Sequence, residues 1–515
     1  MKKNLTALIT AAIALLASGC TTDGDDGLYS EIPYAESLYE DFNLPSQQGD
    51  GDRFEGFTDN PFITASKQPT STFSVDADGA SYAYMRRYLS NGYWDLQHNS
   101  IRIEEFLNYF TFDYPSPTDA HTVAINAEAG KCPWNVGHRL LRLGIKGKEL
   151  TTTETPLANF VFLIDISGSM NGTDRLDLLK SGLNELLYQL NPDDRISIIT
   201  YSGEVQKLLE STPVREADKI RTAINKLNAY GCTAGGAALQ MAYEEALANY
   251  DPKKNNRIIM GTDGDFNVGV TSTDALVEMV ESYAQKGIYM TCLGFGMGNL
   301  NDAMMEKISN RGNGTYHYID CEDEMMKVMV HERERFVSVA NDAKCQVTFD
   351  STLISQYRLI GYENRVMDNN DFENDKKDAG EIGAGQTITA LYEVVPTELF
   401  DKCLANTRTS HHVFATFDFR YKQQLGSASL PLQVQVAVED LYDHQQKALP
   451  LSSEFSFAAG VAAYGMLLRH SPYKGDATLE MAQRLIRDGL GFDPHGYRAQ
   501  LLQLTEKAEK SIMTE

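Results

Sequence analysis

Five side chains are of the types and spacing that hold a hard cation. Asp165, Ser167 and Ser169 stand at i, i+2 and i+4 in VFLIDISGSMN, directly after an apolar run, and Gly168 relaxes the turn between the two hydroxyls. Thr233 lies in YGCTAGGAAL, a loop that opens a helix, and Asp263 in RIIMGTDGDFNVG, again an apolar strand followed by an acid and a glycine. Two carboxylates and three hydroxyls, with no His or Cys required, suit Mg2+, which prefers octahedral oxygen and keeps several waters. Such a set leaves one coordination position open.

Other chemistries find less support. GFGMGN at 294–299 has Asn299 where a dinucleotide loop needs its third glycine, and it follows a late strand. HERER at 331–335 has Arg335 in place of the second His of a zinc helix and reads as a solvated charged face. There is no GxxxxGK[ST] phosphate loop, and His317 and His331 lack a nucleophile-elbow pattern near either serine. The D-x-D-G of Asp76, Asp78 and Gly79 begins like a calcium loop but lacks its later ligands, so helix capping is the expectation. None of these motifs offers an evident catalytic site.

The elements that must position the five residues alternate. From 157 to 336, short strands that are apolar throughout (NFVFLID, RISIITY, RIIMGTD, IYMTCLGFG) are separated by amphipathic helices, the pattern of a mainly parallel, doubly wound α/β sheet covered on both faces. Ligands of such Rossmann-like sheets sit at the carboxyl ends of the strands, where Asp165 and Asp263 fall. TVAINAEAG and HRLLRLGIKG before this unit, and QVTFDSTLISQYRLIGY, QTITALYEVVP, HHVFATFDFRY and LPLQVQVAV after it, have strand periodicity. We expect these strands to form one β-sandwich into which the α/β unit is inserted, or two β units flanking it, since domain termini commonly lie close together. Helical modules are expected at both ends, in FSVDADGASYAYMRRYL with IRIEEFLNYF and in FAAGVAAYGMLLRH with LEMAQRLIRDGL.

The order D-x-S-x-S, then Thr, then T-D-G on such a sheet resembles the metal-ion-dependent adhesion site of von Willebrand factor type A domains. The resemblance implies that Ser167 and Ser169 bind Mg2+ directly, with Mn2+ or Ca2+ as alternatives. It implies that Thr233 binds directly or through water, that Asp165 and Asp263 act mainly through water, and that a partner protein's Asp or Glu fills the open position. Together with FSVDADGASYAYMRRYL, IRIEEFLNYF and the long C-terminal region, it extends to a bacterial lipoprotein family that flanks a type A domain with an N-terminal piece and a C-terminal domain of unknown role. Relatives usually read G-S-T-N-G-G where this chain has Gly231-Cys232-Thr233-Ala234-Gly235-Gly236, which keeps the metal Thr and alters its surroundings.

The start of the chain bears on location. MKKNLTALITAAIALLASGC has two lysines, an apolar run and small residues before Cys20, the form of an export signal. ASGC resembles the lipobox of bacterial lipoproteins, which implies cleavage before Cys20 and acylation of its thiol, palmitate included. The acidic CTTDGDDG resembles the surface-export signals of some Bacteroidetes lipoproteins and also reads as a plain linker. The expected location is the cell envelope, anchored by lipid to the outer membrane and facing the periplasm or the surface. The formal charge of −25 argues against a nucleic-acid role, which needs clustered Lys and Arg. The remaining cysteines (132, 232, 292, 321, 345, 403) fit no metal pattern, and either disulfides or buried thiols suit them.

The expected organisation is a signal peptide over 1–19, a lipidated Cys20 with an acidic disordered tether over 20–70, an N-terminal helical module with strands over 71–156, the type A domain over 157–336, a β-rich domain over 337–445 and a helical region over 446–515. The expected function is partner binding through Mg2+, with a structural envelope scaffold or a metal-assisted hydrolase as alternatives.

Overall fold

The computed structural model describes residues 51–93, 96–118, 120–231, 236–264, 273–404, 411–441 and 447–512. Cys20 with its signal and acidic run, Cys232 and Thr233 lie outside the described residues.

Four strands precede the α/β unit: β1 (Ile63–Thr64), β2 (Thr70–Ser74), β3 (Val123–Lys131) and β4 (Arg139–Gly147). The unit itself contains β5 (Ala158–Asp165), β6 (Arg195–Tyr201), β7 (Val205–Pro213), β8 (Asn255–Thr262), β9 (Ile288–Phe295) and β10 (Tyr316–Ile319). After it come β11 (Ser338–Phe349), β12 (Ile354–Ile360), β13 (Val366–Met367), β14 (Gly380–Gly383), β15 (Thr387–Pro396), β16 (Val413–Lys422) and β17 (Leu430–Ala437).

The α/β sheet runs β10-β9-β8-β5-β6-β7. All of its pairs are parallel except the edge pair β6–β7. Every residue of β5 is buried, because the two faces of the strand feed two different cores. Phe160, Phe162 and Ile164 pack with Leu179 and Leu183 of helix Leu176–Leu186. Val161 and Leu163 pack with Leu239 and Tyr243 of helix Gly236–Ala248. A period of two with apolar residues in both phases is what a strand covered on both sides requires.

Strands from before and after this unit share two further sheets, β1-β12-β15-β4-β3 and β13-β2-β11-β16-β17, the latter with β14 beside β11. Their facing side chains, among them Phe73, Leu141, Leu143, Tyr392, Val347 and Phe417, form one core, so they make a sandwich into which the α/β unit is inserted. The other face of the first sheet, through Leu140, Ile360 and Leu391, packs on helices from both ends of the chain. Phe106 and Leu107 of Ile103–Asn108 meet Phe455, Phe457 and Val461 of Ser453–Leu468 there. The N-terminal and C-terminal helical modules therefore share one core.

Three expectations change. The disordered tether of 20–70 does not extend past 50: Phe54 packs edge-on against Tyr84 with centroids 4.9 Å apart, Ala65 is fully buried, and β1 and β2 pair with β12 and β11. A composition averaged over that stretch hides Phe54, Phe57, Phe62 and Ile63, whose partners lie far away in the chain. Asp76 and Asp78 do not cap helix Ala80–Ser90, whose N-cap position is Gly79 and has no side-chain cap; the N–H of Ser81 donates instead to Glu105 at 2.7 Å. The HERER segment is half-buried rather than a solvated face, with Glu332 pairing with both Lys327 and Arg335. Among the described cysteines, Cys132, Cys292, Cys321, Cys345 and Cys403 are free thiols, four of them buried. No helix of the described residues is long and apolar enough to cross a membrane.

Candidate metal centre

At the carboxyl end of β5, the Asp165 side chain organises the turn that follows. Its Oδ1 accepts the backbone N–H of Ser167 at 2.8 Å, and its Oδ2 accepts the hydroxyl of Thr262 from the neighbouring β8 at 3.1 Å. The Thr262 hydroxyl accepts in turn the N–H of Gly264 at 3.1 Å, so one carboxylate orders two strand ends. Asp165 and Asp263 are fully buried and Ser167 nearly so, while Ser169 is exposed. The cluster thus has an acidic floor and a hydroxyl at its mouth.

The hydroxyls of Ser167 and Ser169 are 3.0 Å apart. Adjacent ligands of an octahedral ion with Mg–O bonds of about 2.1 Å are separated by about 3.0 Å, so the pair matches one edge of an Mg2+ shell. Asp263 directly follows β8, two residues beyond Gly261, which the parallel register sets beside Ile164. Burial pushes the Asp165 carboxyl up to about 6; the backbone and hydroxyl of Ser167 pull against that, and the charge of Asp263 adds to the rise. A cation in contact with these groups would favour the ionised form. Oxygen donors only, two of them acidic, fit the ion.

Of the five residues read from the sequence, four belong to these two adjacent strand ends, and Thr233 lies outside the described residues. The loop that carries it reaches the site at its near end: the carbonyl of Gly231 accepts the N–H of Gly168 at 3.0 Å, and the N–H of Tyr230 donates to the carbonyl of Ile166 at 2.7 Å.

Sequence reasoning missed two supports. Thr262 is the Thr of T-D-G, visible in the motif but not assigned a role. Gly264 takes φ +95° and packs so closely on the next loop that a Cβ would fall 2.3 Å from the backbone N of Asn301. Gly264→Ala is therefore expected to destabilise the protein by about 1–3 kcal/mol and to weaken cation binding with it, read by calorimetric melting and a metal titration. The GFGMGN loop and the residue that follows it cradle an acid of their own chain, since the N–H groups of Gly298 and Leu300 donate to Asp52 Oδ1 at 2.7 and 2.9 Å.

Comparison with known proteins agrees with this architecture. Residues 160–265 match the family described as von Willebrand factor type A domain, residues 48–142 one described as von Willebrand factor, and residues 334–511 one described as uncharacterized protein YfbK, C-terminal. The chain is similar to the uncharacterized protein YfbK of Escherichia coli K12, with 34% identity over 477 residues, covering 89% of this chain and 81% of that one. It is 29% identical to the inter alpha-trypsin inhibitor heavy chain 4 of Mus musculus over 203 residues, 37% of this chain and 21% of that one. Among solved structures, von Willebrand factor type A from Catenulispora acidiphila is similar with a TM-score of 0.42 and 14% identity, over 73% of this chain and 88% of that one. The identity and coverage shared with the Escherichia coli protein place this chain in the YfbK family, with a von Willebrand factor type A domain as its α/β unit.

Proposed function

We propose that the protein is a cell-envelope lipoprotein, anchored through Cys20, that binds a partner protein through Mg2+ held at Ser167 and Ser169, with Asp165, Asp263 and Thr233 completing the chain's share of the shell. Mn2+ and Ca2+ are alternative ions. The observation that carries this reading is the hydroxyl pair 3.0 Å apart above a buried carboxylate, with Ser169 turned to solvent where a partner's Asp or Glu can reach. The cation would supply attraction and orientation, and the loops around it would set specificity.

We read the centre as a binding site because the histidines that could serve as a general base stand elsewhere. His317 lies on β10, three strands from β5, and burial holds it down to about 3; His331 stacks on His495. A catalytic base has to come within hydrogen-bond reach of the reacting group.

The test is a pull-down from solubilised membranes with the wild-type chain and with Asp165→Ala, each with Mg2+ or with EDTA. The expected result is recovery of a partner by the wild type in Mg2+ alone. Recovery that survives both chelation and the substitution overturns the reading. A large fall in melting temperature on chelation, with partner recovery unchanged, would instead assign the ion to bracing the loops.

A further inference from the structure

Away from the β5 end, three carboxylates meet where the sandwich joins the α/β unit. Asp76 and Asp78 follow β2, and Glu306 lies on helix Asp302–Arg311; one oxygen from each lies within 4.8 Å of the other two. The side chains are 1%, 1% and 3% exposed, and all three line a cavity of about 450 Å³.

The hydrogen bonds of the cluster leave two oxygens over. Asp76 Oδ1 accepts the N–H of Asp78 at 3.0 Å, and its Oδ2 accepts Arg365 Nε at 2.9 Å. Asp78 Oδ1 accepts the N–H of Tyr316 at 2.8 Å. Glu306 Oε1 accepts from Asn310, Asn364 and Arg365 at 3.0, 3.2 and 3.4 Å. Asp78 Oδ2 and Glu306 Oε2 are buried and have no hydrogen-bond partner. Buried carboxylate oxygens without donors are strongly disfavoured unless something positive completes them. Among the described residues Arg365 is the cation paired with all three carboxylates, and it leaves Asp78 Oδ2 at 3.8 Å and Glu306 Oε2 without a hydrogen bond, while Lys307, Arg311 and Lys377 line the cavity beside them. Burial, reinforced by the charges of Asp76 and Glu306, drives the Asp78 carboxyl well above its usual range.

We propose that Asp76, Asp78 and Glu306 form a second cation site, suited to Ca2+, that cross-links the sandwich to the α/β unit. The donors are all oxygen, and their mutual separations stay within 4.8 Å, the largest distance that two Ca–O bonds of about 2.4 Å can bridge. Ca2+ takes six to eight oxygens in flexible geometry, and the adjoining cavity has room for the waters that complete such a shell. D-x-D-G thus contributes two ligands without the rest of an EF-hand loop; the third comes from a helix more than 200 residues later in the chain.

The competing arrangement is one proton shared between Asp78 Oδ2 and Glu306 Oε2. Calorimetric titration with Ca2+ separates the two, performed on the full chain carrying Asp165→Ala and Ser167→Ala so that the β5 centre does not contribute. The expected result is one Ca2+ per chain in that background and a rise in melting temperature with added Ca2+. Glu306→Gln, which keeps an acceptor for Asn310, and Asp78→Asn are each expected to weaken binding at least tenfold and to abolish that rise. Should Asp78→Asn fail to fold, Glu306→Gln decides alone. Absence of Ca2+ binding in the background chain, or binding unchanged by Glu306→Gln, overturns the proposal, whatever the outcome at the β5 centre.

Discussion

Replacing Arg102 with alanine is expected to cost about 3–5 kcal/mol of stability, the range found when one partner of a buried ion pair is removed. Arg102 is 4% exposed and grips Asp302 with two parallel bonds, Nη1 to Oδ2 at 2.7 Å and Nη2 to Oδ1 at 3.0 Å, while its Nε donates to Glu105. Asp302 belongs to the α/β unit and Glu105 to the N-terminal helices, so one guanidinium joins two parts of the molecule. Alanine leaves both carboxylates buried without it. Burial already holds the Glu105 carboxyl well above its usual range against the pull of Arg102, and removal of that pull raises it further. A raised folded value means that the folded state binds the extra proton, so the deficit should be larger at pH 8 than at pH 5.5. Urea unfolding at both pH values measures this. Arg102→Lys should recover only part of the loss, because an ammonium cannot reproduce the two-pronged contact. A deficit below about 1 kcal/mol at pH 8 would show that the pair is not needed to hold the junction.

How much was legible in the sequence depended on how local each signal is. The β5 strand announces itself because its run from Phe160 to Ile164 is apolar in both phases, and D-x-S-x-S and T-D-G are contiguous motifs whose geometry is set by their own turns. The antiparallel edge strand β7 went unread: its burial alternates irregularly, and its register to β6 shifts twice. Residues 51–70 read as tether because their apolar side chains are scattered. They fold by borrowing partners, as when Asn60 donates to the carbonyl of Gly361 at 2.8 Å across 301 residues. The Asp76, Asp78 and Glu306 cluster fails for the same reason, since a pattern confined to one loop cannot show a ligand supplied by the chain's return. The insertion of the α/β unit was readable from the order of strand types, but the pairing of β4 with β15 was not, because periodicity carries no register between distant strands.

Asp165→Asn is expected to separate cation binding from folding. In the chain without metal, burial raises the Asp165 carboxyl from 3.8 to about 6, so at pH 7.5 the folded state holds a charge that its surroundings disfavour. The sign follows: a folded value above the unfolded one means that this group lowers stability at neutral pH, and that the penalty fades as pH falls through 6 toward 4. Asparagine removes the penalty and keeps the contacts, since its carbonyl can accept from Ser167 and its amide can donate to Thr262. The metal-free variant should therefore melt no lower than the metal-free wild type at pH 7.5. With Mg2+ the order reverses. Loss of a carboxylate that orders the ligand hydroxyls is expected to weaken Mg2+ by about 10–100-fold. At a concentration of 100 times the wild-type Kd, Mg2+ would stabilise the wild type by about 2.7 kcal/mol and a variant weakened 100-fold by only about 0.4 kcal/mol. Calorimetric melting of both chains in EDTA and in Mg2+ tests the two halves together. A variant that melts several degrees below the wild type in EDTA would make Asp165 a structural carboxylate, and one that gains as much from Mg2+ as the wild type would remove it from the metal centre.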